Sequence, residues 1–176
     1  PLIDSEDLMG KLFSLGHKII HIPTLKVKPV TNQRCDTKNY DAFIFTSANA
    51  IRNLKLINED KKKLCFCVGS ITEKIVRQKG YSNTISAGGN VNALKNIILN
   101  SDFNKSKKIA YFCGDYISTD LDLELKREGY LIDKVINYSS EKIVDLNNEN
   151  EKFLYNHPPD VIFVYSKRSA ESFVEL

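Results

Sequence analysis

The sequence predicts an α/β protein with parallel sheets, and two observations carry that prediction. Short apolar runs alternate with amphipathic segments along the chain, as strands and helices do when helices cover both faces of a parallel sheet. The chain also repeats itself: residues 5–19 align without gaps on residues 118–132, and residues 41–47 (DAFIFTS) align on residues 160–166 (DVIFVYS). Two similar units predict two lobes, and the cleft between lobes is a preferred place for a ligand.

The first part of the chain predicts a helix and two extended segments. Asp4 or Ser5 can cap a helix whose leucines fall at helical spacing, and Gly16 ends it as a C′ glycine. Residues 18–22 form an apolar run closed by a proline and predict a strand. Residues 25–30 alternate in polarity and predict a second extended segment, which is followed by a polar loop.

The middle of the chain predicts one doubly wound lobe. The predicted strands are residues 42–45, 64–68, 84–86, 108–112 and 131–138. The predicted helices are residues 48–57, 70–79, a segment capped by Asn90, and residues 116–128. Ser70 and Glu73 have the S-x-x-E spacing of a capping box, and Gly80 ends the helix that they begin.

The last part of the chain contains the second copy of the repeated strand segment, residues 160–166. Residues 141–157 are polar and predict a loop with a weak helix, residues 161–165 predict a strand, and residues 167–174 predict a helix. The chain then divides into a first lobe (1–24 plus 148–176), a linker (25–38 plus 138–147) and a second, inserted lobe (39–137). A linker of two strands restricts the lobes to opening and closing.

Composition restricts the class of protein. The chain has 42% hydrophobic and 27% charged residues, which is typical of a soluble globular protein. The net charge of 25 − 22 = +3 is too small to argue for nucleic acid. No apolar run has the length of a membrane span, and no signal peptide opens the chain. We therefore expect a cytoplasmic monomer without a nucleic-acid or membrane partner.

The four cysteines predict no metal site. Cys35, Cys65, Cys67 and Cys113 lack zinc-ribbon spacing. Cys65 and Cys67 share one face of a predicted strand, but two ligands do not make a metal site. Three of the four lie in apolar runs, so we expect reduced core cysteines.

The carboxyl ends of the predicted strands carry the candidate binding residues. Ligands of parallel sheets bind beyond these ends, where helix N-termini present free N–H groups that suit anions. Serine and threonine also cap helices for purely structural reasons, and each junction alone favours that interpretation. Several junctions within a duplicated frame favour an anionic ligand. The candidate residues are Thr46, Ser47, Gly69, Ser70, Thr72, Gly114, Ser166, Lys167 and Ser169.

No catalytic dyad or triad stands out in the sequence. The three histidines, His17, His21 and His157, lie outside any ligand motif, and residues 88–90 do not form a dinucleotide fingerprint. Tyr138 ends a predicted strand at a crossing between the lobes. There its phenol either faces the cleft and donates a proton, or packs beneath the crossing.

An ordered set of motifs resembles uroporphyrinogen-III synthases. Residues 41–52 (DAFIFTSANAIR) look like the family's D-x-hydrophobic-F-T-S-x-x-A-V stretch, and residues 68–72 match its V-G-x-x-T turn. The stretch from Gly114 to Tyr138 is similar to the family's glycine-leucine segment that ends in V-x-x-Y. Residues 160–173 (DVIFVYSKRSAESF) resemble its F-F-S-P-x-S-A-x-x-F element. The resemblance covers essentially the whole chain in family order.

The resemblance implies a fold and a reaction. The fold has two lobes joined by a β-ladder linker. The reaction is that of a cyclising hydro-lyase of haem biosynthesis: hydroxymethylbilane, a linear tetrapyrrole, closes to uroporphyrinogen III with inversion of ring D and loss of water. No cofactor is needed, and the substrate's carboxylates suit hydroxyls and helix N-termini along a cleft. Tyr138 matches the family tyrosine proposed as the proton donor.

Two departures from the family pattern predict an incomplete first lobe. The family's first strand is expected before Pro1, and a second copy of residues 68–99 is expected after Leu176. We therefore expect a chain truncated at both ends, whose first lobe exposes an apolar face. The alternative to a synthase is a non-enzymatic α/β module that holds an anionic effector. A nucleotide enzyme of the Rossmann type is disfavoured because the glycine fingerprint is missing.

Overall fold

A six-stranded sheet flanked by helices dominates the described residues, 2–30, 35–54 and 58–176, of this computed structural model. Its neighbouring strands are parallel except for the first strand of the chain, which runs antiparallel to its neighbour. Its strands are β1 (Leu25–Pro29), β2 (Ala42–Phe45), β3 (Leu64–Cys67), β4 (Thr84–Ser86), β5 (Lys108–Gly114) and β6 (Leu131–Lys142), in the spatial order β1-β6-β5-β2-β3-β4. The helices are α1 (Leu2–Ser14), α2 (Ala48–Arg52), α3 (Ser70–Gln78), α4 (Val91–Leu99), α5 (Leu121–Arg127), α6 (Asn148–Asn156) and α7 (Lys167–Val174). The predicted α/β class is confirmed.

The chain divides into two compact units. The first unit comprises Pro1–Lys26 and Glu141–Leu176, and the second comprises Val27–Ser140. The separate linker predicted at residues 25–38 and 138–147 stays a prediction.

The second unit is built around strand β2. Its four residues, Ala-Phe-Ile-Phe, are all buried, as expected for a central strand with helices on both faces. Successive residues point to opposite faces, so Ile44 joins one core cluster while Phe43 and Phe45 join the other. The ring of Phe112 stacks on that of Phe45 at 5.6 Å and meets that of Phe43 edge-on at 5.5 Å. Apolar packing on both faces therefore fixes the strand order around β2.

The predicted cap of one helix in the second unit is observed, and that of another is not. Asn90 caps α4 as predicted, because its side chain accepts from the backbone N–H of Ala93. The capping box predicted for α3 is wrong: Gly69 is the N-cap and makes no side-chain bond. The Glu73 carboxylate accepts instead from the Thr84 hydroxyl at 2.7 Å. This contact ties α3 to β4, and it draws the glutamate away from the helix N-terminus.

Two predicted helices are shorter in the structure. The helix predicted at residues 48–57 ends at Arg52, capped by Asn53, and residues 55–57 lie outside the described residues. The helix predicted at residues 116–128 begins only at Leu121.

A buried ion pair closes the second unit near the start of β3. The Asp60 carboxylate is fully buried and lies 2.7 Å from the Lys63 ammonium. The same ammonium donates to the backbone carbonyl of Thr37 at 2.6 Å, and the Thr37 hydroxyl donates to Asp60. One carboxylate oxygen of Asp60 therefore lies against the ammonium and the other accepts from the hydroxyl, and both contacts offset the cost of burying the charge.

The first unit contains α1, α6 and α7 with extended chain between them. Gly16 has φ +86°, so it ends α1 in the left-handed region as predicted. The predicted cap at Asp4 or Ser5 is wrong, because α1 already begins at Leu2. The Ser172 hydroxyl donates to the Thr24 carbonyl at 2.7 Å and joins α7 to the chain before β1.

The strands predicted at residues 18–22 and 161–165 do not form in the structure. A strand needs a neighbour for its backbone N–H and C=O groups. Among the described residues of the first unit, the ends of β1 and β6 are the strand segments present. The apolar side chains from Val161 to Tyr165 are accordingly exposed, Val161 by 80%.

Candidate functional site

The carboxyl ends of four parallel strands gather the predicted residues of the second unit at one edge of the sheet. In the register, Phe45 at the end of β2 lies beside Cys67 of β3 and Phe112 of β5. Gly114 at the end of β5 lies beside Tyr138 of β6. The predicted residues at or just beyond these ends are Thr46, Ser47, Gly69, Ser70, Thr72 and Gly114. Tyr138 lies beside Gly114 but does not end its strand as predicted, because β6 continues to Lys142.

Tyr138 lies on β6, at the side of this edge next to β5, with its ring largely enclosed. The residue is 9% exposed and belongs to the core cluster that contains Phe45 and Phe112. Burial raises the pKa of the Tyr138 phenol, and a hydrogen bond with the Ser47 side chain partly offsets that rise. The phenol is therefore neutral near pH 7 and carries a proton that it can donate. The contact with Ser47 would also stabilise the phenolate left after transfer.

Gly114 makes room for the Tyr138 ring. A Cβ atom at Gly114 would lie 2.6 Å from Cε2 and 2.7 Å from Cζ of that ring. A register shift between Cys113 and Gly114 brings the two residues together, and beyond it the Asp115 N–H donates to the Tyr138 carbonyl at 3.1 Å. The described contacts of Gly114 are thus with the tyrosine. Its substrate contact stays a prediction.

The Ser47 hydroxyl has two roles at the end of β2. It caps α2 by accepting from the Asn49 N–H at 3.2 Å, and its interaction with the Tyr138 phenol works to lower the pKa of that phenol. The preceding Thr46 hydroxyl lies 3.1 Å from the Tyr111 hydroxyl. Both hydroxyls predicted to bind substrate are therefore also held by protein groups.

The turn between β3 and α3 is tightly packed against a second glycine turn. A Cβ atom at Gly69 would lie 3.2 Å from the Cα atom of Gly89, so a side chain there would crowd backbone. Ser70 is exposed at the first position of α3, whereas Thr72 is only 5% exposed. The exposed serine beside free helix N–H groups suits an anion better than the buried threonine does.

The first unit carries the remaining predicted residues at the start of α7. Ser166 caps the helix by accepting from the Ser169 N–H at 3.1 Å, and the two hydroxyls lie 2.9 Å apart. The Lys167 side chain is exposed and lies 3.7 Å from the Glu171 carboxylate. This junction has the same cap chemistry as Ser47, in agreement with the sequence repeat.

Tyr111 is the residue of this edge that sequence reasoning missed. It lies within β5 and is 1% exposed, and burial raises the pKa of its phenol. The available signal was a hydroxyl-bearing side chain inside an otherwise apolar strand. That signal does not identify the partner, because Thr46 is 65 residues away in sequence.

Metal ligands, thiols and possible membrane spans were searched for among the described residues. Within residues 2–30, 35–54 and 58–176, no group of three or more His, Cys, Asp or Glu is arranged to hold a metal ion. Cys65, Cys67 and Cys113 are buried and free. Burial raises the pKa of the Cys113 thiol to about 11, so this neighbour of Gly114 is protonated near pH 7. No helix in the same ranges is long and apolar enough to cross a membrane.

Two solved structures with a similar fold are uroporphyrinogen-III synthases. The crystal structure of uroporphyrinogen-III synthetase from Helicobacter pylori superposes with a TM-score of 0.60 at 17% identity, covering 87% of this chain and 70% of that chain. A mutant uroporphyrinogen III synthase from the extremely thermophilic bacterium Thermus thermophilus superposes with a TM-score of 0.57 at 16% identity, covering 89% of this chain and 66% of that one. At these identities the likeness shows the fold, and this chain spans about two thirds of their length.

Sequence comparison extends the likeness from the fold to the family. A search of curated proteins found no match. The family profile described as uroporphyrinogen-III synthase HemD, in contrast, matches residues 6–176. That match spans nearly the whole chain, including both units, and the chain therefore belongs to the uroporphyrinogen-III synthase family, whose members are cyclising lyases of haem biosynthesis.

Proposed function

We propose that this chain binds hydroxymethylbilane and cyclises it to uroporphyrinogen III, with Tyr138 as the proton donor. The family match over residues 6–176 carries the proposed reaction. The position of Tyr138 supports its role, because a buried neutral phenol stands at the carboxyl edge where ligands of parallel sheets bind. We further propose that the protein is a cytoplasmic monomer without a nucleic-acid partner.

The reaction begins with a proton transfer to the leaving group. The phenol of Tyr138 donates its proton to the terminal hydroxyl of the substrate, the C–O bond breaks, and water departs. The resulting carbocation is attacked by the substituted carbon of ring D, and rearrangement of that ring gives the inverted product. Ser47 stabilises the phenolate by hydrogen bonding until the phenol is reprotonated.

Positioning accounts for the rest of the proposed catalysis. Hydroxymethylbilane closes without an enzyme to the uninverted type I isomer, so the protein must hold one ring geometry rather than supply a strong acid. We propose that carboxylates of the substrate bind at helix N-termini, with Gly69 and Ser70 at α3 and Ser166, Lys167 and Ser169 at α7. Both helices begin with exposed polar residues at the end where the helix dipole is positive and suits an anion.

Product isomers test the proposal directly. The protein is incubated with hydroxymethylbilane, and the ratio of type III to type I uroporphyrinogen is measured by chromatography. We expect an excess of type III with the wild-type protein, and a rate lower by about 10²-fold for Tyr138→Phe if general acid catalysis contributes its usual amount. A type I product identical to the protein-free control would reject the synthase reaction. Retained binding of the tetrapyrrole in that case would favour the anion-binding module.

A further inference from the structure

Two hydroxyls, one buried and one partly buried, lie in contact at the carboxyl edge of the sheet. Tyr111 in β5 points its hydroxyl toward the carboxyl edge, where it meets the Thr46 hydroxyl at 3.1 Å. The tyrosine is 1% exposed, so its hydroxyl has little access to water. Burying the Tyr111 hydroxyl costs its hydrogen bonds to water, and the contact with the Thr46 hydroxyl offsets that cost.

The backbone connects this pair to the proton donor. Thr46 and Ser47 are consecutive residues, and Ser47 is still extended, with φ −152° and ψ 143°. Consecutive side chains of extended backbone point to opposite faces. Tyr111 accordingly belongs to one core cluster and Tyr138 to the other. The Thr46 side chain is thus held on the face of Tyr111, while Ser47, the next residue, is directed to the face of Tyr138.

We propose that Tyr111 is a positioning residue for the cyclisation: its hydroxyl anchors Thr46 and thereby holds the Ser47 hydroxyl against Tyr138. This inference rests on the proposed function, and it adds to that function a residue that does not touch the substrate. Loss of the Tyr111 hydroxyl frees the turn after β2, and Ser47 then contacts the phenol for a smaller fraction of the time.

The chain offers a matched control for this proposal. Tyr81 is also 1% exposed and packs in the second unit, where its ring meets Phe43 edge-on at 6.0 Å. Its buried hydroxyl makes no hydrogen bond within the described residues. Tyr111→Phe and Tyr81→Phe therefore remove the same atom from equally buried rings, but only the first removes the contact with Thr46.

Steady-state kinetics with hydroxymethylbilane test the anchoring. One hydrogen bond contributes up to about 1.4 kcal/mol, so we expect Tyr111→Phe to lower kcat by up to about tenfold with KM unchanged. The Thr46→Val variant should lose the same factor in kcat. The double variant, Tyr111→Phe with Thr46→Val, should have a kcat less than about twofold below that of Thr46→Val alone, because both changes remove the same contact. Tyr81→Phe should retain the wild-type kcat. Equal kcat values for the two phenylalanine variants, or additive losses in the double variant, would overturn the proposal.

NMR spectroscopy tests the positioning role of Tyr111 independently of the synthase reaction. With ¹³C-labelled tyrosine, the Cζ resonance of Tyr138 reports its hydrogen bonding without substrate. We expect this resonance to shift in Tyr111→Phe and in Thr46→Val, and to stay at its wild-type position in Tyr81→Phe. A wild-type protein that yields only type I product rejects the proposed function alone. An unmoved Tyr138 resonance in both Tyr111→Phe and Thr46→Val rejects the positioning role whatever the product.

Discussion

Replacement of Gly114 by alanine tests the geometry of the proposed proton donor most directly. The added Cβ atom would lie 2.6 Å from Cε2, 2.7 Å from Cζ and 3.0 Å from the hydroxyl oxygen of Tyr138. Non-bonded carbon atoms settle near 3.5–4.0 Å, so the ring must retreat by about 1 Å. The backbone of Tyr138 resists that movement, because its carbonyl accepts from the Asp115 N–H at 3.1 Å.

A retreat of that size moves the phenol away from Ser47 and from the reacting hydroxyl. We expect Gly114→Ala to lower kcat by about 10²-fold, a loss that a 1 Å misplacement can produce. Overpacking of the buried edge should destabilise the fold by about 1–3 kcal/mol, measured by urea denaturation. Gly10→Ala in α1 is the matched control, since a Cβ atom there meets nothing within 4 Å. A Gly114→Ala variant with a kcat within about twofold of wild type would refute the reasoning.

Three further predictions concern the second unit. Lys63→Met leaves the buried Asp60 carboxylate without its cation and should lower the free energy of unfolding by about 3–5 kcal/mol, measured with urea; a loss below about 1 kcal/mol would contradict the buried pair. Ser47→Ala removes the cap of α2 and should lower the free energy of unfolding by about 1 kcal/mol, measured by thermal denaturation. A hydrogen bond from Lys108 lowers the pKa of Asp133, so this carboxylate stabilises the fold above its unfolded pKa, and that contribution is lost as pH falls through the folded value. Asp133→Asn should therefore flatten the acid limb of the stability profile below about pH 4, and an unchanged limb would argue against the contact.

Local sequence chemistry predicted much of the fold. Three elements have the predicted bounds: β2, β4 and α7. In each case the neighbouring residues have local chemistry that favours a turn or a helix cap. The strands predicted at residues 18–22 and 161–165 fail for a different reason. An apolar run shows that a segment prefers burial, but strand formation also requires a neighbouring strand, which no local pattern specifies.

The candidate site shows the same limit. Hydroxyls and glycines at strand ends were predicted from their positions alone. The contacts that give them roles join residues far apart in sequence, as Thr46 joins Tyr111 and Gly114 faces Tyr138. The second contact depends on a register shift between β5 and β6, and a bulge of this kind leaves little trace in the apolar pattern.

The two copies of the repeat show which parts of the site depend on the sheet. Ser47 follows a buried strand and Ser166 follows exposed, irregular chain, yet both cap a helix by accepting a backbone N–H. Such a cap needs residues only two or three positions away, so it forms with or without the strand. The hydrogen bond between Ser47 and Tyr138 needs the parallel register of β2, β5 and β6 in addition. The repeated serine therefore keeps its helix cap in both units of this chain, whereas the geometry of the proposed proton donor depends also on the sheet register.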